Sequence, residues 1–147
     1  MIKRFIDVGI AVRDLDHAVA TYCHILGTTP AMLGPEHYVY RGLKGARFYV
    51  PNATISLIAS DDHESPVAKF IADRGEGVNH ISLEVTDVEQ DIKDMAAKGL
   101  SFLSQGPLTF PQGRVVFAHP TSTHGVQIAF VQAAAGADLL SPPAHSD

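Results

Sequence analysis

The segment DVGIAVRDLDHAV (7–19) and the segment HISLEVTDVEQDI (80–92) superpose without a gap at an offset of 73 residues. Val12 falls on Val85, Asp14 on Asp87, Leu15 on Val88, Asp16 on Glu89 and Val19 on Ile92. A second pair, TISLIA (54–59) and QIAFVQ (127–132), superposes at the same offset. Agreement of two separate stretches on one offset marks a duplicated unit, each copy being one supersecondary element that needs a neighbour to bury its apolar face. The repeat therefore makes Asp7 and His80 one pair of mates, and Ser56 and Ala129 another.

Local patterns fill in the unit. Asp14 is placed to cap a helix reaching Leu26, with Leu15, Val19, Tyr22 and Leu26 as its apolar stripe and Gly27 as its stop. Asp87 is placed to cap a second, with Val88, Ile92, Met95 and Ala96 on one face and Gly99 at its end. SPVAKFIADRG (65–75) predicts a third helix, with Ser65 as cap, Pro66 at the first helical position and Gly75 beyond the end. Runs rich in β-branched and aromatic residues predict strands at 5–12, 37–40, 47–50, 54–59, 80–85, 114–118 and 126–131, with a turn at GLKG (42–45). Each half thus reads strand–helix–strand–strand–strand. The expected fold is α+β: two βαβββ modules, 4–60 and 78–132, joined by the helix at 65–75 and closing their sheets into a half-open mixed barrel with a pocket. Residues 133–147 read as a flexible C-terminal tail, with Leu139 and Leu140 able to dock.

The 147 residues suffice for one well-filled core, and 46% apolar with 18% charged residues is the composition of a soluble globular chain. A net charge of −5 with no basic stripe argues against nucleic acid or anionic membranes as partners. No apolar run approaches the roughly 20 residues of a bilayer span, and MIKRFIDVGIAV runs straight into a strand pattern rather than a leader. The single Cys23 cannot form an internal disulfide, so the expected location is the cytoplasm.

DVGIAVRDLDHAVATY (7–22), SPVAKFIADRGEGVNHISLEVTDV (65–88) and VVFAHPTSTHGVQI (115–128) resemble the vicinal-oxygen-chelate superfamily of glyoxalases, extradiol dioxygenases and bleomycin-resistance proteins, and within it the methylmalonyl-CoA epimerases. The resemblance implies a metal site with one ligand from the first and one from the last strand of each module: His, Gln or Glu, His, Glu. By position these are Asp7, Ser56, His80 and Ala129, of which only His80 fits the pattern. A divalent site needs about three protein donors or more. The expectation is therefore no tightly bound cofactor. The alternative is a shifted divalent cation on Asp7 and His80 with Gln127 or Glu84, since strand alternation puts Gln127 on the face of Ala129 and Glu84 on the face of His80. The same alternation turns Asn79 away from His80.

Without the metal, Asp7 can orient His80, and the pair can act as base and acid for a proton next to a carbonyl. Ser56, Tyr49 and Arg47 are the candidate donors to the oxyanion, and Gln127 and Ala129 complete the expected substrate contacts. The resemblance also implies a Lys–Ser pair holding acyl-CoA in the loop before the last strand; here Thr121 replaces the Lys and Ser122 matches. It implies a catalytic Glu before the third strand, and RGLKGARFYV (41–50) contains no acid. Two readings remain: an isomerase, epimerase or lyase acting on a small carbonyl or carboxylate compound, acyl-CoA included, or a non-catalytic binder of the drug-resistance type using the rings of Tyr38, Tyr40, Phe48, Tyr49, Phe110 and Phe117, several of them shared with the core. Open sheet edges and the resemblance suggest a homodimer.

Overall fold

The computed structural model describes residues 1–142. The chain runs β1 (Ile2–Ala11), α1 (Leu15–Leu26), β2 (Ala31–Leu33), β3 (Leu43–Val50), β4 (Ala53–Ser60), α2 (Pro66–Arg74), β5 (Gly77–Val85), α3 (Val88–Ala97), β6 (Leu108–Phe110), β7 (Gly113–Ala118) and β8 (Gln127–Ala133). The eight strands form one curled mixed sheet in the order β2-β3-β4-β1-β5-β8-β7-β6. This is the α+β half-barrel of two βαβββ modules.

The sheet keeps the repeat's symmetry at its centre. Antiparallel β1 and β5 pair Asp7 with Ser82 and Gly9 with His80, one relationship seen from each half. Parallel β1 and β4 pair Asp7 with Thr54 and Gly9 with Ser56. Parallel β5 and β8 pair His80 with Gln127 and Ser82 with Ala129, the mates of those pairs.

The helices cover the outside, and strand alternation decides what each side receives. Leu15, Val19, Tyr22 and Leu26 of α1 pack on Ala46, Phe48, Leu57 and Ala59. Val88, Ile92 and Met95 of α3 pack on Val116, Ala118 and Phe130. Phe48 and Leu57 are 0% exposed, and burying a side chain of this size contributes about 1.5–3 kcal/mol. Asp14 accepts from the His17 amide at 3.0 Å, Asp87 from Gln90 at 3.1 Å and Ser65 from Ala68 at 3.1 Å, so each helix starts on its expected cap. The alternate strand positions face inward: Leu43 and Arg47, Ser56 and Ile58, His80 and Ser82, Val115 and Phe117, Ala129 and Val131, joined in β1 by the neighbours Ile6 and Asp7.

Four local expectations are corrected. Residues 37–40 are not a strand: Pro35 opens a 3-10 turn over Pro35–His37, and Tyr38 and Tyr40 pack their rings against the α2 cluster. Their aromatic character reflects ring burial rather than pairing. GLKG is not the hairpin turn, because Leu43, Lys44 and Gly45 already pair with β4; the reversal is at Pro51 and Asn52, where Asn52 takes a left-handed φ of 67°. The short strands β2 and β6 had no signal long enough to find them.

The fourth correction is the tail. Leu139 is 3% exposed and packs on Ile6, Val115, Ala129 and Val131, and Asp138 accepts from Arg4 at 3.0 Å. The chain after β8 therefore folds back onto the sheet as far as the described residues run; the end of the expected tail, 143–147, lies outside them. Among the described residues no helix is long and apolar enough to cross a membrane.

Candidate active site

The concave face of the sheet encloses a half-open cavity of about 130 Å³, with Asp7, His80, Arg47, Ser56 and Gln127 on its polar side. Two β-bulges aim the key groups. The first, at Ile6 in β1, follows Phe5↔Leu83 and precedes Asp7↔Ser82, and it turns both Ile6 and Asp7 inward. The second, at Asn79 in β5, lies between Val78, opposite Ile10, and His80, opposite Gly9. It overturns the expected alternation: Asn79 lines the cavity beside His80, and its Oδ1 lies 3.1 Å from His80 Nδ1.

Asp7 is 3% exposed. Its Oδ1 accepts from Thr54 Oγ1 at 2.8 Å and from Ser56 Oγ at 2.9 Å, and its Oδ2 lies 3.6 Å from His80 Nε2. Burial pushes the carboxyl's pKa up, but His80, Arg47 and the Thr54 hydroxyl together outweigh it and hold the group below the ordinary aspartate value. Asp7 is thus a fixed anion. With Nδ1–H donated to Asn79, an assignment made from the hydrogen-bond geometry, the other ring nitrogen of His80, Nε2, is the one that faces the Asp7 carboxylate.

Arg47 completes a relay into the site. Its Nε donates to Ser56 Oγ at 3.2 Å, and Ser56 donates in turn to Asp7. Its Nη1 reaches Gln112 Oε1 at 3.5 Å, from the turn between β6 and β7. The guanidinium forms no ion pair among the described residues, so a full positive charge with unspent donors faces the cavity.

Several expected site residues stand elsewhere. Tyr49 is off the cavity wall. Ser122 spends its hydroxyl on the His119 carbonyl at 2.9 Å, closing the 3-10 turn over Pro120–Ser122. Glu84 is 2% exposed and held by Arg4 and, at 3.8 Å, by Lys3. A third bulge, at Lys3, brings both cations opposite it, which removes Glu84 as a ligand. Gln127 and Ala129 do line the cavity. The acid missing from 41–50 has a nearer candidate in Glu36, whose Oε1 is 3.4 Å from Nε2 of His37; His37 lines the cavity and Glu36 does not.

Three contributors escaped the sequence, and a fourth, Tyr38, was expected only as an aromatic ring. Thr54 was findable, being the repeat mate of Gln127. Asn79 needed the bulge, Gln112 is brought to Arg47 only by the closed sheet, and the Tyr38 hydroxyl carries no sequence signal.

The profile of the Glyoxalase/Bleomycin resistance protein/Dioxygenase superfamily matches residues 7–117. The chain belongs to this superfamily. It is 32% identical over 130 residues to the human mitochondrial methylmalonyl-CoA epimerase, spanning 86% of this chain and 72% of that one. The Mycobacterium tuberculosis methylmalonyl-CoA epimerase superposes with a TM-score of 0.80 at 30% identity, over 90% of this chain and 89% of that one. A Streptomyces coelicolor methylmalonyl-CoA epimerase variant in complex with 2-nitronate-propionyl-CoA superposes with a TM-score of 0.81 at 29% identity, over 91% of this chain and 99% of that one.

Superfamily membership raises the metal expected at positions 7, 56, 80 and 129. The four do converge on the sheet centre. Their chemistry does not fit a divalent cation. Ala129 has no donor atom, Ser56 Oγ already donates to Asp7 and accepts from Arg47, and the Arg47 guanidinium puts a positive charge beside the centre. Gln127 would add only a neutral amide to Asp7 and His80. Among the described residues no three His, Cys, Asp or Glu side chains cluster as a metal site.

Proposed function

We propose that this superfamily member is an epimerase-type enzyme that moves the proton on a carbon next to a carbonyl, using its own side chains in place of a resident cation. The observation that carries the reading is the buried Asp7–His80 pair, at 3.6 Å, on the wall of a cavity in a chain whose relatives are epimerases. Nε2 of His80 takes the α-proton, and the Asp7 carboxylate stabilises the imidazolium that forms. Inversion requires the proton to return on the other face. His37, on the same cavity wall and paired with Glu36, is the second acid–base group within reach of a bound substrate.

The cavity suits an acyl group rather than a larger body: about 130 Å³ is well below the roughly 300–1,000 Å³ of a drug-sized pocket. An acyl-CoA would therefore place only its acid end inside, beside Arg47. The apolar wall, where the tilted rings of Tyr40 and Phe117 meet with centroids 5.8 Å apart, also supports a second reading as a binder of small aromatic compounds. A homodimer in the cytoplasm is the proposed working form.

Incubation with methylmalonyl-CoA in D2O tests the reading. Deuterium at the α-carbon, followed by mass spectrometry and lost in His80→Ala, is the expected result. Wash-in that survives His80→Ala would remove His80 from catalysis, and tight binding with no exchange would leave the binder.

A further inference from the structure

We infer that the Tyr38 hydroxyl and the Arg47 guanidinium together form a seat for the anionic oxygen of a ligand, a carboxylate or enolate oxygen. The inference rests on the proposed proton-transfer reading and names the group that receives the charge it develops.

Tyr38 lines the cavity, and its hydroxyl is buried with no hydrogen-bond partner among the described residues. Buried polar groups in native proteins almost always have partners, so an orphan on a cavity wall points to a ligand. The alternative acceptor, Asp7, is committed elsewhere: Oδ1 holds two hydroxyls and Oδ2 faces His80. The hydroxyl's position is also built. Gly45 of β3 lies between Leu43 and Arg47, both on the cavity wall, and a Cβ at position 45 would overlap the Tyr38 hydroxyl oxygen. A glycine there makes room for the end of the ring on the face that Arg47 shares.

The electrostatics suit a donor rather than a base. Burial pushes the Tyr38 pKa up, Arg47 pulls it down and Asp7 raises it, leaving it at about 12. The proton therefore stays on across the working pH range. A neutral O–H and a guanidinium N–H fixed before the reaction form the kind of preorganised pair that stabilises developing negative charge. The other buried hydroxyl without a partner among the described residues, on Tyr49, is off the cavity wall and carries no such inference.

Calorimetric titration of the full chain and of Tyr38→Phe with 2-nitronate-propionyl-CoA, whose acyl end is an enolate-like anion, and with propionyl-CoA, whose acyl end is uncharged, tests the seat. The expected result is binding of the nitronate weakened on the order of 10²-fold in the variant, with a far smaller change for propionyl-CoA. Equal affinity of both proteins for the nitronate, or equal loss for both ligands, overturns it. If the unaltered protein binds neither CoA compound, the acyl-CoA reading fails by itself. The seat is then decided by the ring-carbon NMR signal of Tyr38 in ¹³C-tyrosine-labelled protein titrated with malonate. A shift that Arg47→Gln abolishes supports it, and a silent signal overturns it.

Discussion

The imidazole of His80 lies across the backbone of Gly9, its cross-strand partner, in the space that a side chain at position 9 would fill. A Cβ there would overlap ring atoms Cε1 and Nδ1. The residue opposite the proposed base is thus small because the ring needs its room. Gly9→Ala should move the ring away from Asp7 and lower turnover on the order of 10²-fold, the loss typical of a misplacement near 1 Å. Steady-state kinetics beside a thermal melt check it: a variant that melts normally and keeps full activity would refute the positioning role.

Asp7 ties acid stability to the site. Its folded pKa is lowered, so the stability it contributes is complete above its unfolded value, near 4, and is lost as pH falls through the lower folded value. Asp7→Asn should abolish that part of the acid dependence. At neutral pH it should also lose about 1–3 kcal/mol, because an amide oxygen accepts from Thr54 and Ser56 more weakly than a carboxylate and the negative charge beside His80 and Arg47 is gone. Urea unfolding between pH 3 and 7 measures both effects.

His37, the proposed second proton-transfer group, has its own signature. His37→Gln should slow interconversion of the two stereoisomers at least tenfold. It should leave wash-in of solvent deuterium on one of them, since His80 remains in place. Loss of both in parallel would mean that His37 is not a separate acid.

Leu139 joins the chain after β8 to the cavity wall. Leu139→Ala should lose about 2–5 kcal/mol, as for other buried leucines, and widen the cavity. Melting temperature reports the first, and acceptance of bulkier acyl chains the second. An unchanged melt would show that this segment contributes nothing to the core.

The reach of the sequence follows the range of the forces involved. Helix caps at Asp14, Ser65 and Asp87 are read from neighbours three residues apart, and all three form. The strand pattern failed where a single residue changed the phase. At Asn79 the bulge reversed the face that alternation assigns, and at Lys3 another bulge gave Glu84 two cations and took it from the site. In HYVY the rings pack sideways against α2, and no periodicity distinguishes that from a strand.

By itself the sequence determined the duplicated unit and the equivalence of position 7 with 80 and of 56 with 129, because a gapless repeat pairs positions without knowledge of contacts; the family resemblance added the expectation that the four meet. Only the tertiary structure decided which side chains share the cavity: Asn79 through a bulge, Gln112 through a turn of the opposite module, Tyr38 through a glycine seat, Leu139 through the returning chain. Those placements depend on closures between residues far apart in the chain, and their free energy belongs to the closed sheet rather than to any local segment.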